Sequence, residues 1–252
     1  AGPRVTARTM RLADLRSLAI IALTLITIAP AAADENDAQL RRALLGFFRG
    51  AEALRIDAVP DLYEGGYARI SVYAKRARLA EGGLLVDEAW VRLRGVTLSV
   101  PHFREGTFRV VSVRDAAIYL RISVRSLEQY FILGNPWDDI RLWSEGGYLF
   151  ARGTVPVIGI PTRVEMKGYF AVEGTHEIFF YVESLRVNWL PLPEFLLRNM
   201  ERQYNPVIDQ KTWPVIIKLR SIRLSKEDLV ATSEPDPGVC GFCGPIGSSG
   251  PP

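Results

Sequence analysis

The sequence predicts an α+β domain in which helices lie along a long, highly twisted antiparallel sheet with an apolar concave face. Three patterns lead to this prediction. Residues 162–172 alternate between apolar and polar side chains, the period of a strand with one buried and one wet face. Two other strand patterns change their buried face midway, and amphipathic helical stretches lie between the groups of strands.

The first 33 residues have the composition of an export signal. Arg11 and Arg16 precede an uncharged, largely apolar run at 18–28, and alanines at 31–33 supply the small residues of a cleavage site. The apolar run has about a dozen residues, fewer than the ~20 that a membrane-spanning helix needs. We therefore predict a cleaved signal in residues 1–33, with an uncleaved membrane anchor as the alternative.

The charge of the remaining chain is balanced. Residues 1–33 contain four arginines and one aspartate, so 27 of the 31 basic residues and 27 of the 28 acidic residues lie beyond them. A nucleic-acid partner would require a concentrated basic face, so none is predicted. The remaining length suits one large domain, predicted at 34–232, followed by a disordered tail at 233–252 that is rich in Pro, Gly and Ser.

Both cysteines, Cys240 and Cys243, lie in the predicted tail with two residues between them. Such a pair could be half of a zinc site or a redox dithiol. Zinc requires four ligands, however, and the two histidines, His102 and His176, are far away in sequence. A local disulfide in an oxidising compartment is the favoured interpretation, and no metal or other cofactor is predicted.

An amphipathic helix over 37–54 is predicted to open the domain. Strand patterns follow at 67–79 and 88–100, and each changes its buried parity midway, near Arg76 in the first and at Gly95 in the second. One inserted residue flips the two faces of a strand, so we predict a β-bulge at both positions.

The pattern continues as a strand, a helix, strands separated by glycine turns, a second helix and a closing pair of strands. Residues 178–182 are apolar on both parities, which predicts that both faces of the sheet are covered there. The predicted elements cover residues 110–124, 124–132, 140–143, 148–157, 162–172, 177–189, 193–204, 213–224 and 229–232.

Six blocks follow one another along this part of the chain: DLYEGGY at 61–67, VDEAWVRLRGV at 86–96, ISVRSL at 122–127, LPLP at 190–193, NPVID at 205–209, and residues 215–229. Together they resemble successive segments of the LmeA-like family of bacterial envelope proteins, and the resemblance extends over most of residues 54–232. It implies a phospholipid-binding protein similar to the tubular lipid-binding (TULIP) superfamily, in which a coiled sheet wraps a long helix around an apolar tunnel. In this chain the sheet would accordingly wrap around helices and leave an apolar groove or tunnel. The resemblance carries over no catalytic or ligand-binding residue.

Inward-facing residues of the later strands and of the second helix form the predicted lipid groove. Each of them would also fit an ordinary packed core. The hypothesis of a lipid groove therefore rests on these residues together and not on any single one. Flexible methionines and large aromatics favour a loosely packed interior. Sheltering about ten methylenes would contribute at most ~8 kcal/mol. The groove residues are Val164, Met166, Phe170, Ile178, Phe180, Val182, Leu196 and Met200.

The expected function is that of an exported, non-enzymatic protein of the periplasm or cell envelope, which shelters phospholipid or other acyl chains in lipid transport or homeostasis. Peripheral contact with a membrane is compatible with this role. A structural adaptor whose groove binds a protein partner is the alternative, and an acyl-processing hydrolase is the third hypothesis.

The hydrolase hypothesis finds little support among the ionisable residues. His102 lies in a predicted loop without a nucleophile motif, and His176 lies in a predicted turn without a second ligand at helical spacing. Asp87 and Glu88 would point to opposite faces of a strand, so they are poorly placed to act as a pair.

Overall fold

The computed structural model describes most of the chain. Most of the predicted signal, residues 1–30, lies outside the described part, as do the last eight residues, 245–252. The chain forms two compact units, Ala1–Ala38 and Gln39–Pro252, and the second contains both sheets. The described residues are 31–79, 83–133, 138–157 and 160–244.

Antiparallel strands dominate the described residues, with helices between them, so the protein has a sheet-dominated α+β fold as predicted. The helices are α1 (Ala31–Phe47), α2 (Val100–Arg104), α3 (Val124–Leu133) and α4 (Glu194–Tyr204). The strands are β1 (Phe48–Arg49), β2 (Ala53–Pro60), β3 (Gly66–Leu79), β4 (Leu85–Leu98), β5 (Val110–Ser123), β6 (Asp138–Glu145), β7 (Tyr148–Val157), β8 (Ile160–Glu173), β9 (Glu177–Val187), β10 (Leu190–Pro191), β11 (Ile208–Asp209), β12 (Ser221–Leu224) and β13 (Asp228–Thr232).

The strands form two sheets, whereas the sequence predicted one. Sheet A has the order β1-β3-β4-β5-β13-β12, and β2 also pairs with β3. Sheet B has the order β10-β9-β8-β7-β6, and β11 also pairs with β9. Buried residues of both sheets belong to one hydrophobic cluster, for example Ile122 of β5 and Phe180 of β9. The two sheets therefore share a core.

Both predicted changes of face occur in β3 and β4, but not through the predicted bulge. The buried parity changes at Arg76 in β3 and at Gly95 in β4, and both residues have positive φ angles, 49° and 58°. The β3–β4 pairing keeps one register across both sites, because no residue is inserted. A single left-handed residue therefore rotates each strand. At Gly95 a Cβ would lie 3.1 Å from Cβ of Arg114, which favours glycine.

The alternation predicted for residues 162–172 is confirmed through Phe170 in β8. Val164, Met166 and Phe170 are buried, whereas Arg163 and Tyr169 are exposed. Between Lys167 and Gly168 the β8–β9 register shifts, which is the signature of a β-bulge or similar irregularity.

The predicted helices are confirmed in α3 and α4, but α1 ends seven residues earlier than expected. Gly50 has a φ of 62°, and Phe48 and Arg49 already pair with β3 as strand β1. The structure also contains α2, which was not predicted. Of the predicted strand 213–224, only β12 forms.

The first residues of the predicted disordered tail contact sheet A. The Ser233 backbone N–H donates to the Ile118 carbonyl oxygen at 2.9 Å, and the Ser221 hydroxyl donates to the Glu234 carbonyl oxygen at 2.7 Å. Cys240 and Cys243 are joined by a disulfide. Between them, the Phe242 ring lies under the guanidinium of Arg92 at 4.9 Å. Ser233 and Glu234 therefore continue the hydrogen bonding of sheet A, and the disorder expected of the tail stays a prediction.

Candidate apolar ligand site

The structure places most of the predicted groove residues in the packed core beside sheet B. The Phe170 and Phe180 ring centroids are 5.0 Å apart, and Phe131 of α3 lies 5.7 Å from Phe180. Val182 is partly buried against the same core. The side chains of Leu196 and Met200 lie outside the described part of the structure. Buried members of the predicted groove are Val164, Met166, Phe170, Ile178 and Phe180.

The free edge of β9 is closed by side chains that take the place of a neighbouring strand. Glu201 of α4 accepts a hydrogen bond from the Val182 N–H at 2.7 Å. Asn205 binds both backbone groups of Phe180, at 2.7 and 2.8 Å. Because the polar backbone groups are satisfied in this way, this edge is closed to strand addition.

A cavity lies instead beside sheet A, and every residue that lines it is apolar. It takes up about 30 Å³ within a depression of about 420 Å³ that includes open solvent. Helix α1, the centre of sheet A and a segment after β11 form its walls. None of the predicted groove residues is among those lining it. The lining residues are Leu44, Phe47, Ile70, Val72, Val91, Leu93, Phe108, Ile118, Trp213, Pro214, Val215 and Ile217.

One wall of the cavity is a segment that forms no strand, residues 211–217, which we call the strap. The Trp213 and Phe47 rings meet edge to face, with centroids 5.1 Å apart, which closes the strap against α1. Just beyond the strap, the Leu219 N–H donates to the Thr175 carbonyl oxygen at 2.7 Å. Hydrogen bonds at its ends and one aromatic contact therefore hold the strap in place.

Gln210 holds the strap from a fully buried position. Its side-chain oxygen accepts a hydrogen bond from the Ile217 N–H at 2.7 Å, and its backbone oxygen accepts one from the Trp213 N–H at 3.0 Å. Because the Ile217 N–H is a donor, the amide orientation of Gln210 is fixed, and its Nε2 is left buried without a hydrogen-bond partner. The strap thus depends on a buried amide that is only half satisfied, a costly arrangement.

Asp87 ties β4 to the start of α3. It accepts hydrogen bonds from the Ser123 N–H at 2.7 Å and from the Ser126 hydroxyl at 2.8 Å. Burial alone would raise the pKa of Asp87, but these hydrogen bonds outweigh burial, and its pKa lies below the ordinary value. Glu88 has different partners, the Trp90 indole N–H and Arg121, so the two adjacent carboxylates do not act together.

His102 contacts a serine that the sequence analysis did not connect with it. The Ser99 hydroxyl lies 2.8 Å from His102 Nδ1, and an Arg109 guanidinium nitrogen lies 3.4 Å from Nε2. The donor in each contact depends on the tautomer of the ring, so the pair by itself does not identify a nucleophilic serine.

The outer face of sheet B carries a row of aromatic side chains. Tyr169 stacks on Tyr181 with centroids 5.5 Å apart, and Trp143 stacks on Phe150 at 5.5 Å. The Tyr181 hydroxyl donates to Glu173, and this hydrogen bond, with burial, raises the pKa of Tyr181 to about 12. The sequence predicted that both faces of the sheet are covered at residues 178–182. On the outer face, these neighbouring rings half-bury the side chains of that segment.

The fold and the cavity together define a sheet-dominated α+β protein with an apolar internal site. Comparisons with protein-family models, with curated proteins and with solved structures find no match to this chain. Within its described part, no helix is long and apolar enough to cross a membrane. The same part contains no cluster of three or more side chains suited to holding a metal ion.

Proposed function

We propose that this protein is an exported lipid-binding protein and that it shelters the acyl chains of phospholipids between α1, sheet A and the strap. The observation that carries the proposal is the uniformly apolar lining of the cavity. A ligand bound there would gain burial without any charged contact, at about 0.8 kcal/mol for each methylene. The resemblance to LmeA-like proteins, and the wrapped sheet that it implies, are part of the same proposal.

The cavity must open before an acyl chain can enter. Its volume of about 30 Å³ has room for no more than a few water molecules. The strap is the wall with the fewest backbone hydrogen bonds, whereas sheet A is a continuous ladder. We therefore propose that the strap moves away from Phe47 and that the acyl chain takes the place of the contact between Phe47 and Trp213.

The test is lipid extraction and mass spectrometry on the purified chain beginning at Asp34, with a matched pair of variants. Val91→Phe fills the cavity beside sheet A, whereas Val182→Phe fills the groove that the sequence predicted beside sheet B. We expect Val91→Phe to lose most of the bound lipid and Val182→Phe to keep it. Circular dichroism would check that both variants fold.

Other outcomes would contradict the proposal in distinct ways. Lipid lost from Val182→Phe alone would place the acyl site beside sheet B. A protein that carries no lipid, and takes up none when phospholipid is added, would contradict the proposed function. A peptide recovered in place of lipid would favour the adaptor alternative.

A further inference from the structure

A group of exposed apolar side chains lies where β9 turns into β10 and α4 begins. Trp189, Leu190 and Phe195 have exposed fractions of 67%, 72% and 70%, and they fall within seven consecutive residues. We call these three residues the tryptophan tip. Single exposed apolar residues are ordinary, but three large ones in so short a segment indicate an interaction site.

The backbone holds Trp189 outward at some cost. Asn188 and Trp189 form the two-residue turn between β9 and β10, with φ angles of 47° and 73°. Asparagine tolerates this left-handed conformation, whereas a bulky residue such as tryptophan rarely adopts it. Two hydrogen bonds between Asn188 and the backbone of Arg163, at 2.9 and 3.1 Å, fix the turn. Strain at an exposed aromatic is consistent with a functional role.

Arginines surround one side of the tip. The Arg163 guanidinium lies 4.6 Å from the centroid of the Trp189 ring. Arg163 and Arg152 each approach Glu165 at 3.1 Å, and Arg186, also exposed, pairs with Glu165 across β8 and β9. Three arginines against Glu165 leave this collar with an excess of positive charge, and the exposed Glu194 beside Phe195 is paired with Arg198 at 3.2 Å.

We propose that the tryptophan tip docks on an anionic phospholipid surface. Tryptophan favours the boundary between headgroups and acyl chains, leucine and phenylalanine favour the acyl region, and arginines bind lipid phosphates. A second copy of this chain would bring two collars of the same sign together, which disfavours self-association through this face. The proposal rests on the proposed function and deepens it, because it names the surface by which the protein reaches a membrane.

Vesicle co-sedimentation tests the proposal with Trp189→Gly. Glycine adopts the left-handed turn without strain, so the variant should fold at least as well as the unchanged protein. We expect it to bind vesicles of phosphatidylglycerol and phosphatidylcholine at least about tenfold more weakly. Arg186→Gln should weaken binding roughly fivefold, and only while phosphatidylglycerol is present.

Val111→Ser is the matched control, because Val111 is an exposed apolar residue on β5 of sheet A, whereas the collar lies on sheet B. It should bind vesicles like the unchanged protein. An equal loss in Val111→Ser would show that any exposed apolar side chain has this effect and would overturn the proposal. So would unchanged binding by Trp189→Gly, or failure of the unchanged protein to bind anionic vesicles.

The cavity variant separates this proposal from the proposed function. Val91→Phe should still bind vesicles after it has lost its bound lipid. Vesicle binding by a protein that never carries lipid would end the proposed function and leave the docking surface standing. A lipid-loaded protein that does not bind anionic vesicles would contradict the docking surface and leave the proposed function standing.

Discussion

Asp87 illustrates how a single half-buried carboxylate can organise the junction between a strand and a helix. Its bonds to Ser123 and Ser126 fix the first turn of α3 against β4. Ser123 is also the N-terminal cap of that helix, because its hydroxyl accepts a hydrogen bond from the Ser126 N–H at 3.1 Å. The sequence could not indicate the contact between Asp87 and Ser123, because the two residues lie 36 positions apart and meet only when β4 and β5 pair.

The lowered pKa of Asp87 predicts a pH-dependent stability. A carboxyl group whose pKa is lower in the folded state stabilises the protein above its ordinary value, near 3.8, and this contribution is lost as the pH falls through the folded pKa. We expect Asp87→Asn to lower the free energy of unfolding by about 1–3 kcal/mol at pH 7. The difference should shrink below about pH 4.

Urea unfolding between pH 3 and pH 7 would measure this effect. Asp115→Asn is the control, because Asp115 is exposed on β5 and its replacement should change stability little at any pH. A difference between the protein and Asp87→Asn that persists unchanged at pH 3 would show that the charge of Asp87 is not the cause.

At the scale of elements, patterns within one segment were predictable and contacts between segments were not. The alternation along β8, the helices α3 and α4, and the changes of face in β3 and β4 follow from local periodicity. The strap was predicted as a strand because Trp213, Val215 and Ile217 alternate like one. Only the fold reveals that no strand pairs with this segment and that these side chains close a cavity.

The predicted groove also shows the difference between a pattern within one segment and the contacts between segments. Inward parity on β8 and β9 correctly predicted burial, for example at Phe170 and Phe180. Parity does not say which element packs against these side chains, and here Phe131 of α3 lies 5.7 Å from Phe180. The cavity beside sheet A is lined by α1, the sheet and the strap together, which no local pattern shows.

Movement of the strap predicts protease sensitivity that depends on lipid. Lys211 begins the strap and pairs with Glu177 at 2.5 Å. When the strap opens, trypsin should cut after Lys211, and bound lipid should slow this cleavage because the acyl chain, packed between Trp213 and Phe47, restrains the strap. Gln210→Ala removes the acceptor of the Ile217 N–H, so it should speed cleavage at Lys211 about 5- to 150-fold, as expected for a loss of about 1–3 kcal/mol.

Cleavage after Lys226 provides the internal control. This residue is exposed in the turn between β12 and β13, outside the strap, and its cleavage should not respond to lipid or to Gln210→Ala. Mass spectrometry of the fragments over time would separate the two sites. Parallel changes at Lys211 and Lys226 would indicate a general loss of stability and contradict a moving strap.

At the scale of the whole molecule, the shared core predicts that the two sheets unfold together. Buried residues of both sheets form one hydrophobic cluster, and the Ser144 hydroxyl of β6 donates to the Ser225 carbonyl oxygen beside β12. A unit with one core unfolds as one cooperative transition. Trp90 of sheet A and Trp143 of sheet B can report on each sheet if the other tryptophans are replaced by phenylalanine.

We expect fluorescence from Trp90 and from Trp143 to give the same urea midpoint, equal to that from circular dichroism. Added phospholipid should raise all three midpoints together, although it binds beside sheet A alone, because a ligand that binds only the folded state stabilises the whole cooperative unit. Two separate midpoints, or a lipid effect confined to Trp90, would show that the sheets are independent. The cavity would then belong to a domain made of sheet A, and sheet B would have to be explained by its own surface, the tryptophan tip.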